Sequence, residues 1–177
     1  DTLVMLVDGK VNSLDPRWAA TNTDHKVAEL VTPGLTSVNQ LSMEPKLELA
    51  AAIERKAPTI WEVTLREDAK FGDGSQVTSA DVVFTYQSTL DPDTKSIHQG
   101  GFAKKIVRVE AIDRLRVRFH LVAPLGTFTS DLGFGIVSAK AADPKRKRFP
   151  GGRVVGAGPY RVISWHPERV ELERNPH

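Results

Sequence analysis

A chain of 177 residues with 40% hydrophobic and 26% charged content is of ordinary globular composition and long enough to bury a core. The absence of cysteine excludes disulfides and thiolate chemistry and leaves the redox compartment open, and a net charge of +2 is too small to select nucleic acid or membrane as a partner. No apolar run approaches the ~20 residues of a membrane-spanning helix, and with no recognisable signal peptide the start at Asp1 reads as that of a processed chain.

The apolar run Leu3 to Val7 predicts a buried strand, and Ser13-Leu14-Asp15-Pro16 a turn after it. Asn22-Thr23-Asp24 starts a helix whose apolar face is Val27, Leu30 and Val31, and Pro33-Gly34 ends it. Trp61, Val63 and Leu65 alternate with Glu62, Thr64 and Arg66, the period of a half-buried strand. Phe71-Gly72-Asp73-Gly74 is a turn. Thr78 is a good N-cap, with Asp81 at the capping-box position, and Val82, Val83, Tyr86 and Leu90 then share one helical face. Asp91-Pro92 stops that helix, because the residue before proline avoids the α region.

Val107, Val109 and Ala111, then Leu115, Val117, Phe119 and Leu121, alternate with charged residues on either side of Asp113-Arg114, which predicts a hairpin with one solvated face. Phe134 to Val137 is a further apolar run, Pro144 to Gly152 a basic loop, and Tyr160 onward a strand. Trp61 and Trp165 fall on strand periodicity and are expected in the core. There is no internal repeat.

Catalytic signals are missing. The five histidines are scattered, with no H-x-x-x-H pair for zinc, and no G-x-S-x-G elbow is present. Gly156-Ala157-Gly158 runs on into a strand instead of opening a helix, which rules out a dinucleotide loop. Gly72-Asp73-Gly74 lacks the further acids of a calcium loop, and Lys145 to Arg148, without an aromatic platform, reads as a solvated loop. No enzyme, metal, cofactor or nucleic-acid partner is expected.

Several stretches carry a resemblance. Leu65 to Phe84 resembles the pattern LR-x-x-(V/A)-K-F-x-D-G-(T/S)-P-V-T-A-x-D-V-V-F-S of the family 5 extracellular solute-binding proteins. Ser13 to Pro16, the hairpin ending at Pro124, and Gly156-Ala157-Gly158-Pro159-Tyr160 through Trp165 to Pro176 match further motifs in the family's order. Thr32-Pro33 departs from the family's aromatic and acid, and Ile53 stands where a tryptophan is usual.

The resemblance implies an α/β fold: the first lobe of a type II periplasmic binding protein, a mixed sheet with an antiparallel subdomain, without the second lobe. Residues 1–34 would start the main sheet of lobe I, 35–152 form its subdomain, and 153–177 return to the main sheet. The implied function is capture of a solute, most simply a peptide, at the periplasmic or extracellular face of a bacterial or archaeal cytoplasmic membrane, for delivery to the membrane subunits of an ABC importer. The alternatives are a sensor or interaction domain, or a non-transport fragment that self-associates through exposed sheet edges. Because the resemblance places much of the specificity in the second lobe, this chain is expected to bind weakly or not at all.

By the same resemblance Ala20, Thr21, Asn22 and Thr23 offer backbone groups to an extended ligand, a strand addition. Asn22 and Thr23 can equally cap the following helix, and both readings can hold together. His98 lies where peptide-binding relatives place a ligand-reaching tyrosine; the alternative is an exposed loop histidine. Phe102 in the same loop is the further candidate.

Overall fold

Two threonines launch the long helices. The computed structural model describes residues 7–39, 44–142, 149 and 153–177. Helix α1 (Asn22–Val31) is capped by Thr21, whose Oγ1 accepts from Asp24 N at 3.0 Å while Asp24 Oδ2 accepts from Thr21 N at 3.1 Å. The helix starts at Asn22 as expected, but its cap is Thr21 and not Asn22 or Thr23. An acid three positions after Thr21 closes a reciprocal capping box, which no acid does for Asn22 or Thr23.

Strands β1 (Thr36–Val38) and β2 (Pro45–Leu47) form a small ribbon, and β3 (Ala50–Ala57) and β4 (Ile60–Leu65) a hairpin. Helix α2 (Ser79–Leu90) is capped by Thr78 as expected, with Asp81 Oδ2 accepting from Thr78 N at 2.9 Å. Its other carboxylate oxygen accepts from Ala139 N at 2.9 Å, so one side chain closes the helix and anchors a distant segment. The short helix α3 (Gln99–Ala103) leads into the hairpin of β5 (Ile106–Ala111) and β6 (Arg116–Leu121). Helix α4 (Phe128–Asp131), a closing ribbon of β7 (Tyr160–His166) and β8 (Arg169–Arg174), and a 3-10 turn at Pro92–Thr94 after α2 complete the described elements.

The central sheet has the order β3-β4-β6-β5. Every ladder among the described residues is antiparallel. The strand expected at Leu3 to Val7 lies, apart from Val7, outside the described residues, as does most of the basic loop. Trp61, Val63 and Leu65 point into the core as their period predicts. The hairpin departs from its period at two points: Val107, expected inside, is 62% exposed, and Ala111 at the strand end is exposed as well. The register shifts between Ile106 and Arg108, so the extra residue of a bulge is pushed out, and Ile106 and Val109 face inward instead.

Two apolar clusters result. The larger lies between the sheet and α2 and contains Val63, Val82, Tyr86, Val117 and Phe119, with the ring of Tyr86 edge-on to Phe119 at 5.0 Å. The smaller joins Val11, Leu14, Val27 and Val31 to Val137 and Val154, with Trp165 and Leu172 packed against it. Helix α2 serves both, since Phe84 packs on the second cluster while Val82 and Tyr86 lie in the first.

Candidate ligand-binding site

The connection from Asn12 to Thr21 has no regular hydrogen-bond ladder, so its shape depends on side chains. One carboxylate does most of this. Asp24, fully buried on the first turn of α1, accepts from Asn12 N at 2.7 Å and Ser13 N at 3.4 Å on Oδ1, and from Ala20 N and Thr21 N at 3.1 Å each on Oδ2. Burial pushes this carboxyl's pKa up, and the four backbone N–H groups more than offset it, leaving the value below the usual aspartate range.

Beneath the connection lies Arg17, with no exposed surface. Its guanidinium grips Asp15 through Nε to Oδ1 at 2.9 Å and Nη2 to Oδ2 at 2.7 Å, and donates from Nη1 to Ser88 Oγ of α2 at 2.8 Å. The rings of Trp18 and Phe84 flank it at 4.7 and 5.1 Å.

The segment after α2 is sewn to this connection by three contacts. Trp18 Nε1 donates to Thr94 O at 3.2 Å, Ser96 Oγ to Arg17 O at 2.7 Å, and His98 Nε2–H to Ala19 O at 3.1 Å, since a carbonyl can only accept. His98 is thus no freely exposed loop residue. Its ring meets Phe134 edge-on at 5.4 Å and lies 6.0 Å from His25. Phe102 packs edge-on to Phe134 at 4.9 Å and to Tyr86 at 5.5 Å. The rings therefore run continuously from the core residue Tyr86 through Phe102 and Phe134 to His98. The structure brings His98 to Ala19 and joins Phe102 to His98 through Phe134 and through Phe102 N, which donates to His98 O at 3.0 Å.

Burial lowers the His98 pKa below the ordinary imidazole value of about 6.5, and the nearby His25 adds to this, against the opposing pull of the Ala19 carbonyl. A base with a depressed folded value binds more protons unfolded than folded. Its contribution to stability is therefore full above about pH 6.5 and is lost as pH falls through the lower, folded value. The urea midpoint is expected to decline across that window in the wild type and to decline less in His98→Gln. An identical pH profile in both would refute the assignment.

Thr21 has extended dihedrals, φ −102° and ψ 159°, and is exposed, as are Ala20 and Asn22. Its own N–H goes to Asp24 and its carbonyl accepts from His25 N at 3.0 Å. Among the described residues the Ala20 carbonyl and the Asn22 N–H have no hydrogen-bond partner. Thr23 is buried, and its hydroxyl donates to Asp8 at 3.3 Å, so it faces away from the exposed ledge of Ala20 to Asn22. Beside the connection a cleft of about 390 Å³ is lined by Ser13, Leu14, Trp18, Ala20, Phe149 and Trp165, among others. Trp165, expected in the core, stands at this border, half-buried, with Nε1 donating to Val11 O at 3.2 Å.

Asp24 and Arg17 escaped the sequence reading. For Asp24 a signal existed in the Thr21-x-x-Asp24 spacing, the counterpart of Thr78-x-x-Asp81. For Arg17 there was none, because an arginine beside a turn reads as solvated. Among the described residues no group of three or more His, Asp or Glu side chains is placed to hold a metal ion, and no helix is long and apolar enough to cross a membrane.

A sheet backed by a helix, with an exposed extended ledge on a side-chain-braced connection, is here part of a lobe of the type II periplasmic-binding-protein fold. The structure of OppA from Burkholderia pseudomallei superposes with a TM-score of 0.82 at 25% identity, over 96% of this chain and 37% of that one. The model of the bacterial extracellular solute-binding proteins, family 5 Middle, matches residues 44–177, and the chain belongs to that family. It is 31% identical to the periplasmic oligopeptide-binding protein OppA of Escherichia coli K12, over 99% of this chain and 36% of that protein. It is 28% identical to the glutathione-binding protein GsiB of Pectobacterium atrosepticum, over 97% of this chain and 34% of that protein. The chain thus spans about a third of the length of the curated relatives it matches.

Proposed function

We propose that this chain supplies one wall of the ligand cleft of an extracytoplasmic solute-binding component of an ABC importer, and that the ligand is a peptide held in extended form. Residues 35–152 serve as the subdomain of that lobe, between a main-sheet start in 1–34 and a return in 153–177. The observation that carries the reading is the ledge at Thr21. In an extended residue the N–H and C=O point to one side, and the preceding C=O and following N–H point to the other. Here the first pair is bound inward, and the second pair, on Ala20 and Asn22, faces out without a partner among the described residues. Those are the groups with which a strand pairs at a non-hydrogen-bonded position, so a peptide can dock by its backbone whatever its side chains. OppA and glutathione-binding GsiB, both similar to this chain, are named for peptide ligands, which favours the same class.

Titration of the 177-residue chain with trialanine, followed by amide chemical shifts, tests this. Shifts confined to Ala20, Thr21, Asn22 and the neighbouring His98, with a dissociation constant on the order of 1 mM, are expected. Shifts elsewhere, or none at saturating peptide, would sink the reading, and a sub-micromolar constant would overturn the expectation that one lobe binds weakly.

A further inference from the structure

We propose that Asp24 is the positioning residue of this ledge: its carboxylate turns the backbone so that the Ala20 carbonyl and the Asn22 N–H face an incoming ligand strand. The proposal rests on the strand-addition reading and goes beyond it by naming what holds the strand in a receptive shape. A helix cap needs only the exchange between Thr21 and Asp24. Asp24 does more, because it also binds Ala20 N, Asn12 N and Ser13 N, and so ties both ends of the Asn12 to Thr21 connection to α1. Drawing the Thr21 N–H inward is what sends the flanking groups outward. His98, on Ala19 O, braces the same backbone one residue earlier. The carboxylate has no exposed surface, so it acts through the backbone and does not itself touch a ligand.

An asparagine at position 24 has the same shape but a single acceptor oxygen. Whichever way the amide is turned, its NH2 faces two backbone N–H groups, either those of Asn12 and Ser13 or those of Ala20 and Thr21. Asp24→Asn is therefore expected to release one end of the connection. Hydrogen exchange of the Asn12, Ser13, Ala20 and Thr21 amides should rise at one of the two pairs by at least about tenfold, while α2 and the central sheet stay protected.

The second readout uses trialanine and two analogues N-methylated at the second or third residue, each lacking one backbone donor. One analogue should bind the wild type about 2- to 10-fold more weakly than trialanine, the effect of a single lost hydrogen bond. In Asp24→Asn that difference should vanish. Val117→Ala, in the sheet core away from the ledge, serves as a destabilised control that keeps the difference. Unchanged exchange in Asp24→Asn, an undiminished methylation effect there, or its loss in Val117→Ala too would overturn the role of Asp24 and leave strand addition standing. If neither analogue binds the wild type more weakly, or trialanine does not bind, strand addition itself fails and the ligand-positioning role falls with it.

Discussion

Replacing Arg17 with methionine is expected to destabilise the protein by about 3–5 kcal/mol, the typical cost of removing one partner of a buried ion pair. The pair itself contributes little net energy, because desolvating two charges offsets most of their attraction. Removing the guanidinium is different. It leaves the 9% exposed Asp15 carboxylate without its bidentate partner, leaves Ser88 Oγ with its bond to Thr85 O but without a donor, and empties the space beside the Trp18 and Phe84 rings. For a domain of this length such a loss lowers the melting temperature by about 6–20 °C. Lysine should not rescue, since a compact ammonium cannot make the two-point contact or stack between rings. The double variant Asp15→Asn, Arg17→Met should recover much of the loss by removing the stranded charge. Urea denaturation of the three variants decides the matter, and a loss under about 1 kcal/mol for Arg17→Met would show that water reaches Asp15.

Gly156→Ala is the second large effect. A Cβ built there would lie 2.0 Å from the Val31 carbonyl oxygen and 2.6 Å from Thr32 Cγ2. Backbone cannot swing aside as a side chain can. Gly158 stands in the same position against the Leu30 carbonyl, 2.4 Å away. Together the two glycines let the returning chain lie on the C-terminal end of α1, where Gly158 N donates to Val31 O at 2.8 Å and Gly72 N donates to Gly156 O at 3.0 Å. Overpacking of this kind costs about 1–3 kcal/mol and more where the backbone must move. Ser138 N donates to Val155 O at 3.0 Å beside the isolated bridge of Val137 with Gly156, and should lose amide protection in the variant. Gly100→Ala supplies the contrast: nothing lies within 4 Å of its Cβ, on helix α3, and the change should be neutral or stabilising by up to about 1 kcal/mol. Equal urea midpoints for Gly156→Ala and wild type would refute the close-approach account.

Much of the fold was legible because it is written in short-range chemistry. Thr78 and Asp81 announce the start of α2, Asp91-Pro92 its end, and the alternation of Trp61, Val63 and Leu65 the face that β4 buries. These follow from capping geometry and from the two-residue period of a strand, which need no knowledge of distant residues. Strand β3 was not legible. Its sequence Ala-Ala-Ala-Ile-Glu-Arg-Lys-Ala is rich in helix formers, and pairing with β4 overrides that preference. The bulge at Val107 was hidden for a related reason: an extra residue changes the face of its neighbours only once the partner strand sets the register.

The candidate site divides in the same way. The family resemblance pointed to Ala20 through Thr23 and to His98, and the chain alone contained the Thr21 to Asp24 spacing that caps α1. What it could not reveal was that His98, 79 residues away, would close on the Ala19 carbonyl, or that Arg17 would be wholly buried between Asp15 and Ser88. A capping box is decided by the backbone of one turn, and so by local sequence. The ledge, the buried ion pair and the seat of Gly156 on α1 depend on surfaces brought together by the packing of the whole core, and only the tertiary structure decides those.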